Sequence, residues 1–169
     1  ASQKAIRSAV KQAQKRTDAD YELVDLADYP LPHLDEALPP SFGQYQGEHT
    51  KAWAAKIAEF DGFVFVTPEY NHGTTGVLKN ALDYLSAEWA NKAAAFVGYG
   101  VVGGARAVEH LRLVTAELQI AGVRQGLYFS LVTDFENFSV FTPGDYQLPY
   151  AETLFTQLEA WAGALKPLR

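Results

Sequence analysis

The sequence predicts an α/β fold in which a parallel sheet is covered by helices, and two observations predict it. Runs with apolar side chains at helical spacing alternate along the chain with short runs of low polarity. The runs 61–66 and 91–100 are apolar at nearly every position, the composition of strands buried on both faces. Helical and strand-like runs follow one another throughout, and that alternation favours parallel pairing. The 169 residues are expected to form one domain, 1–169, long enough for a core.

The elements follow in order. Ala5, Ile6, Ala9, Val10 and Ala13 lie along one face of an opening helix that is already under way at Ala1. A turn at 17–20 leads to a strand over 21–29, with Leu23, Val24 and Leu26 as its apolar centre. The proline-rich segment 30–47 is too interrupted for regular structure. A helix over 47–60 is expected to bury Ala52, Ala55, Ile57 and Phe60. The strand 61–66 then feeds, through Thr67–Gly76, a helix over 77–85. After the strand 91–100 come a long helix over 103–122 closed by Gly122, a strand over 123–132 and a terminal helix over 149–168. The stretch 134–147 is aromatic and reads as irregular.

Composition narrows the function. A net charge of −6 with scattered Lys and Arg argues against a nucleic-acid surface, which needs clustered cations. No run is long and apolar enough to cross a membrane, and no secretory signal is present. The chain has no cysteine, which removes disulfides, thiolate metal sites and a cysteine nucleophile; the expected compartment is the cytoplasm. His33, His49, His72 and His110 show no metal-ligand spacing, no metal site is expected, and no G-x-S-x-G elbow offers a serine nucleophile.

Two loops leave strands at their carboxyl ends, where ligands bind in parallel α/β sheets. In the first, P-E-Y-N-H-G-T-T-G, Pro68 stiffens the exit and Glu69, Tyr70 and Asn71 present backbone and side chains. Gly73 and Gly76 permit close approach or positive φ. Such a loop suits the edge and face of a flat heteroaromatic ligand; as a purely structural turn, Asn71 would be a local cap. The second, G-Y-G-V-V-G-G, places Gly98, Gly100 and Gly103 in a dinucleotide-like pattern. The acid expected about 20 residues on is missing. The glycines then either let strand and helix pack, or expose amides and a helix N-terminus to an electron-rich ligand.

At these residues a resemblance emerges. Residues 67–85 resemble the P-E-Y-N-x-x-x-x-G-x-L-K-N-A-x-D signature of the NAD(P)H-dependent FMN reductases, through Pro68, Glu69, Tyr70, Asn71, Gly76, Leu78, Lys79, Asn80, Ala81 and Asp83. The resemblance extends to V-D-L-A-D-Y-P-L-P and to G-Y-G-V-V-G-G. It implies a flavodoxin-like three-layer fold with a five-stranded parallel sheet in the order 2-1-3-4-5. It also implies that Pro68, Glu69, Tyr70, Asn71 and Gly73 support the flavin ring of FMN, while Tyr99, Gly100 and Val101 reach its pyrimidine end. The family's phosphate loop, G-S-x-R-x-x-S, is represented only by Ser2, followed by Gln3. The expectation is therefore that a first strand and most of its loop precede Ala1.

The resemblance further implies an enzyme that takes two electrons from NADPH or NADH and passes them, by a ping-pong mechanism, to a quinone, flavin, azo compound or metal oxyanion. No side chain is expected to act as catalytic acid or base. The helix beginning near Gly104 would stabilise negative charge on the reduced ring. A homodimer or homotetramer is implied, with Leu82, Leu85 and Trp89 either facing a partner or forming core. The alternatives are a flavodoxin-like electron carrier or redox-sensing module without turnover, and a flavin-free interaction domain.

Overall fold

The computed structural model describes residues 15–169. Three parallel strands, β1 (Gly62–Pro68), β2 (Lys92–Gly100) and β3 (Ile120–Ser130), lie in that order across one sheet. Register pairs Gly62 with Ala93, and Pro68 with Tyr99. The next ladder pairs Lys92 with Ile120, and Gly100 with Ser130. Helices α1 (Glu48–Ala58), α2 (Gly76–Asp83), α3 (Ala105–Glu117) and α4 (Leu148–Leu165) accompany the sheet. The parallel α/β architecture expected from the strand composition is present.

The central strand shows why the pattern holds. All nine residues of β2 are buried, with small Ala93, Ala94 and Ala95 followed by Phe96 and Val97. Alternate side chains then feed two separate cores. Ala94 and Phe96 join Trp53, Phe65, Leu82, Trp89, Val108 and Leu111 on one side of the sheet. Ala93, Ala95, Val97 and Tyr99 join Leu127, Phe129, Leu154, Phe155 and Leu158 on the other. Period-two alternation across a sheet with helices on both faces produces that division.

Several expectations are corrected. The described residues hold three parallel strands, not five, together with an antiparallel pair, β4 (Phe135–Glu136) and β5 (Val140–Phe141). Segment 21–26 is not a strand: no described strand lies beyond β1 to pair with it, and a ladder needs a partner. Its apolar residues still pack, with Val24, Leu26, Tyr29 and Leu31 against the first core. The opening helix, with Ala5 to Ala13, lies outside the described residues, as do Ser2 and Gln3. In α1 the buried face is Thr50, Trp53, Ala54 and Ile57. Trp53 dominates because its ring buries far more surface than Ala52 or Ala55.

Gly122 does not close a helix either. α3 ends at Glu117, Gln119 takes the left-handed conformation (φ 60°), and Gly122 lies inside β3. A Cβ there would stand 3.1 Å from the Phe96 ring, so the glycine admits that ring. The stretch 134–147 is ordered by Asp134, whose buried carboxylate accepts from the Ser130 amide at 2.9 Å and the Tyr146 hydroxyl at 2.9 Å. Leu82, Leu85 and Trp89 are core. The Trp53 and Trp89 indoles donate to the carbonyls of Ala81 (2.9 Å) and Leu82 (3.1 Å) in the last turn of α2, where Leu82 O also accepts from Leu85 N at 3.4 Å.

Candidate functional site

The strand ends come level at one rim. Glu69 N donates to Tyr99 O at 3.0 Å, so the first loop stays paired to β2 one residue beyond β1. Leu131 N donates to Gly100 O at 2.9 Å, and the Ser130 hydroxyl donates to Val101 O at 3.1 Å. Both sequence-derived loops and the exit of β3 therefore meet.

In the first loop the chain reverses at once. Tyr70 and Gly73 exchange backbone hydrogen bonds of 3.0 Å in each direction, and between them Asn71 (φ 50°) and His72 (φ 69°) are both left-handed. This has the dihedral signature of a mirror-image two-residue turn. The positive φ expected at Gly73 and Gly76 falls instead on Asn71 and His72, residue types that tolerate it better than most. Asn71 serves as a turn residue, while Thr75 caps α2, its hydroxyl accepting from Leu78 N at 3.2 Å. Beneath the turn, the buried Thr67 hydroxyl meets that of Thr74 at 2.8 Å. The turn leaves the Tyr70 residue 64% exposed.

In the second loop the glycines have separable roles. A Cβ on Gly98 would stand 2.7 Å from Gly103 O, and one on Gly104 would stand 2.6 Å from Tyr99 N. Gly103 and Gly104 both have φ of 73°. These three glycines let the strand, its turn and α3 pack without side chains between them, which is the structural alternative offered by the sequence. Gly100 differs: its Cβ would enter the crease between the loops, 3.3 Å from Glu69 Cβ and 3.5 Å from Gly104 N. Beyond it, Val101 is 66% exposed, whereas the Tyr99 ring turns into the second core near Phe135.

Glu69 behaves unlike a residue waiting for a ligand. Its side chain is only 5% exposed and lies against the start of α3. The carboxylate accepts from the amides of Arg106 (3.0 Å) and Ala107 (3.4 Å) and from Arg106 Nε (2.6 Å). Burial by itself would raise its pKa; the Arg106 side chain and the two helix amides outweigh it and hold the group below the usual carboxylate range. Arg106 Nη1 also donates to His72 Nε2 at 2.8 Å. Of the amides at the start of α3, which the resemblance assigns to negative charge on a reduced ring, those of Arg106 and Ala107 are given to Glu69. Arg106 was missed in the sequence, although a cation in the first turn of a helix opposes the macrodipole and so signals a nearby anion.

The two loops, joined through backbone bonds, leave Tyr70 and Val101 exposed at one rim, residue types that suit the face and edge of a flat ring. Pro68, Asn71 and Gly73 stand in the first loop, with Gly100 and Val101 opposite. Ser2 and Gln3, to which the phosphate end was assigned, are outside the described residues. Lys79 and Asp83 form the expected exposed ion pair at 2.6 Å. His49 pairs with Asp35 at 3.0 Å in the proline-rich segment, away from these loops in sequence. Among the described residues no three His, Asp or Glu side chains could hold a metal ion.

The family model for NADPH-dependent FMN reductase matches residues 1–134. An NAD(P)H-dependent FMN reductase of Schizosaccharomyces pombe is 49% identical over 109 residues, covering 63% of this chain and 54% of its own length. An NAD(P)H:quinone oxidoreductase of Solanum tuberosum is 39% identical over 117 residues, covering 67% of this chain and 58% of its own length. The chain thus spans a little over half the length of these curated relatives. Among solved structures, the flavoenzyme NAD(P)H:(acceptor) oxidoreductase FerB of Paracoccus denitrificans superposes with a TM-score of 0.70 at 21% identity, covering 93% of this chain and 87% of that one. That likeness extends to the fold, which is flavodoxin-like.

Proposed function

The chain belongs to the NADPH-dependent FMN reductase family, and from that membership we propose that it is an FMN-dependent NAD(P)H oxidoreductase acting on small-molecule electron acceptors. The observation that carries the proposal is the junction of the two loops at the rim, where Glu69 N pairs with Tyr99 O at 3.0 Å and Tyr70 and Val101 are both exposed. FMN, when bound, would carry two electrons from NADPH or NADH to a quinone, a flavin, an azo compound or a metal oxyanion.

In this reading the chain's own part is to bind, orient and exclude. Pro68, Tyr70, Asn71 and Gly73 support the ring from the first loop, and the backbone of Tyr99, Gly100 and Val101 receives its edge. Glu69 serves through α3, because its carboxylate is engaged there. No side chain is assigned a proton to move. Donor and acceptor use one open face in turn, so ping-pong kinetics are expected. Among the described residues no helix is long and apolar enough to cross a membrane. We further assign a homodimer or homotetramer, supported by the exposed Leu38 and Phe42 in the segment 30–47.

The test is a visible absorption spectrum of the purified protein after FMN titration, before and after anaerobic addition of NADPH or NADH. A bound-flavin spectrum that bleaches with either donor and recovers on adding a quinone is the expected result. A protein that takes up no FMN sinks the proposal. One that binds FMN but is reduced by neither donor is a carrier rather than a reductase.

A further inference from the structure

Arg106 belongs to neither of the two loops, yet it touches the first at two residues, Glu69 and His72. It lies in the first turn of α3, where its charge opposes the helix macrodipole. Its guanidinium offsets that cost by a fork of contacts: Nε and Nη2 both meet Glu69 Oε1, and Nη1 donates to His72 Nε2. Its own main-chain amide donates to the second Glu69 oxygen. One residue therefore joins the exit of β1, the left-handed turn 70–73 and the start of α3, across 34 to 37 positions of sequence.

We propose that Arg106 is the positioning residue of the rim: through Glu69 and His72 it fixes the first loop against the second, and so sets how tightly the ring of FMN is held. The inference rests on the FMN-binding reading above. It differs from that reading in assigning a role to a side chain that is itself 45% exposed and already committed to protein partners. The planar fork meets Glu69 and His72 with separate, pre-oriented donors, whereas a lysine ammonium on its flexible stem would lose more freedom to hold both. Glu69 is the necessary second member. Removing Arg106 leaves a carboxylate buried without its cation, and the loop must move to rehydrate it.

The experiment measures FMN affinity by fluorescence quenching in the full chain, together with melting temperature and the KM for NADPH. The variants are Arg106→Ala, Arg106→Lys, Glu69→Gln and the double variant Arg106→Ala/Glu69→Gln. Arg106→Ala is expected to weaken FMN binding about tenfold, within the range of coupled ion-pair networks. Arg106→Lys should fall between it and the parent, and the KM for NADPH at saturating FMN should be unchanged. Because both residues act through one linkage, the double variant should bind no worse than the weaker single one. Parent-like affinity in Arg106→Ala overturns the inference. So do multiplying losses in the double variant or a raised KM for NADPH, since either means that Arg106 meets a ligand directly. Should Arg106→Ala fail to fold, Arg106→Lys decides, and parent-like binding by it overturns the inference. A parent protein that takes up no FMN removes the underlying reading as well; a binding parent with unaffected variants removes the inference alone.

Discussion

At the scale of single residues, glycines that look alike in sequence separate by what surrounds them. Gly98→Ala would drive a Cβ to 2.7 Å from Gly103 O and 2.9 Å from Gly104 O, both backbone atoms. A loss of roughly 2–4 kcal/mol in chemical unfolding is expected, because backbone cannot move aside as a side-chain tip can. Gly76→Ala meets nothing within 4 Å and has no positive φ. It should stabilise by about 0.5 kcal/mol through the unfolded chain. Lys92 gives a pH-dependent case. It is 4% exposed, donates to Ile57 O at 2.7 Å, and burial lowers its pKa to about 8. Between that value and the ordinary lysine pKa of about 10.4, the unfolded chain binds more protons, so this group's destabilisation is full below pH 8 and fades as pH rises. Lys92→Met should therefore stabilise by about 1 kcal/mol at pH 7, less at pH 10, in urea unfolding. Ile57 O keeps the Phe60 amide as a donor at 3.3 Å.

At the scale of elements, the helices and strands that own their burial were legible, and those that depend on another element were not. β1, β2, α3 and α4 were readable because their apolar periodicity matches the faces they bury. The segment 21–26 has strand composition, but a strand exists only beside another one. In the candidate site the loop positions were legible from Pro68, Tyr70 and Gly100. The Glu69–Arg106 linkage was not, because nothing local couples residues 37 apart. The segment 30–47 was unreadable as regular structure, and it is held by partners elsewhere. The Asn80 side-chain amide donates to Pro32 O at 2.7 Å, and the Tyr84 hydroxyl donates to Asp35 at 2.9 Å. Phe42 and Leu38 stay exposed on that anchored segment. Phe42→Ser should lower the particle mass by light scattering if this segment carries the association; an unchanged mass would assign the contact elsewhere.

At the scale of the molecule, one sheet separates two cores that are completed at different points along the chain. The first uses Trp53, Phe65, Leu82, Trp89, Leu111 and Ile120, its buried members all supplied by residue 120. The second needs Leu154, Phe155 and Leu158 from α4, which follows every strand of the sheet. During synthesis the chain therefore passes through a stage in which the first core has its described partners while the second still lacks those from α4. That second face carries Val97, Leu127 and Phe129, which wait for the partners that α4 supplies. At ordinary elongation rates the wait lasts on the order of seconds. A product that stalls before α4 would then be a target for chaperones, while a change confined to the rim would leave a chain that matures normally.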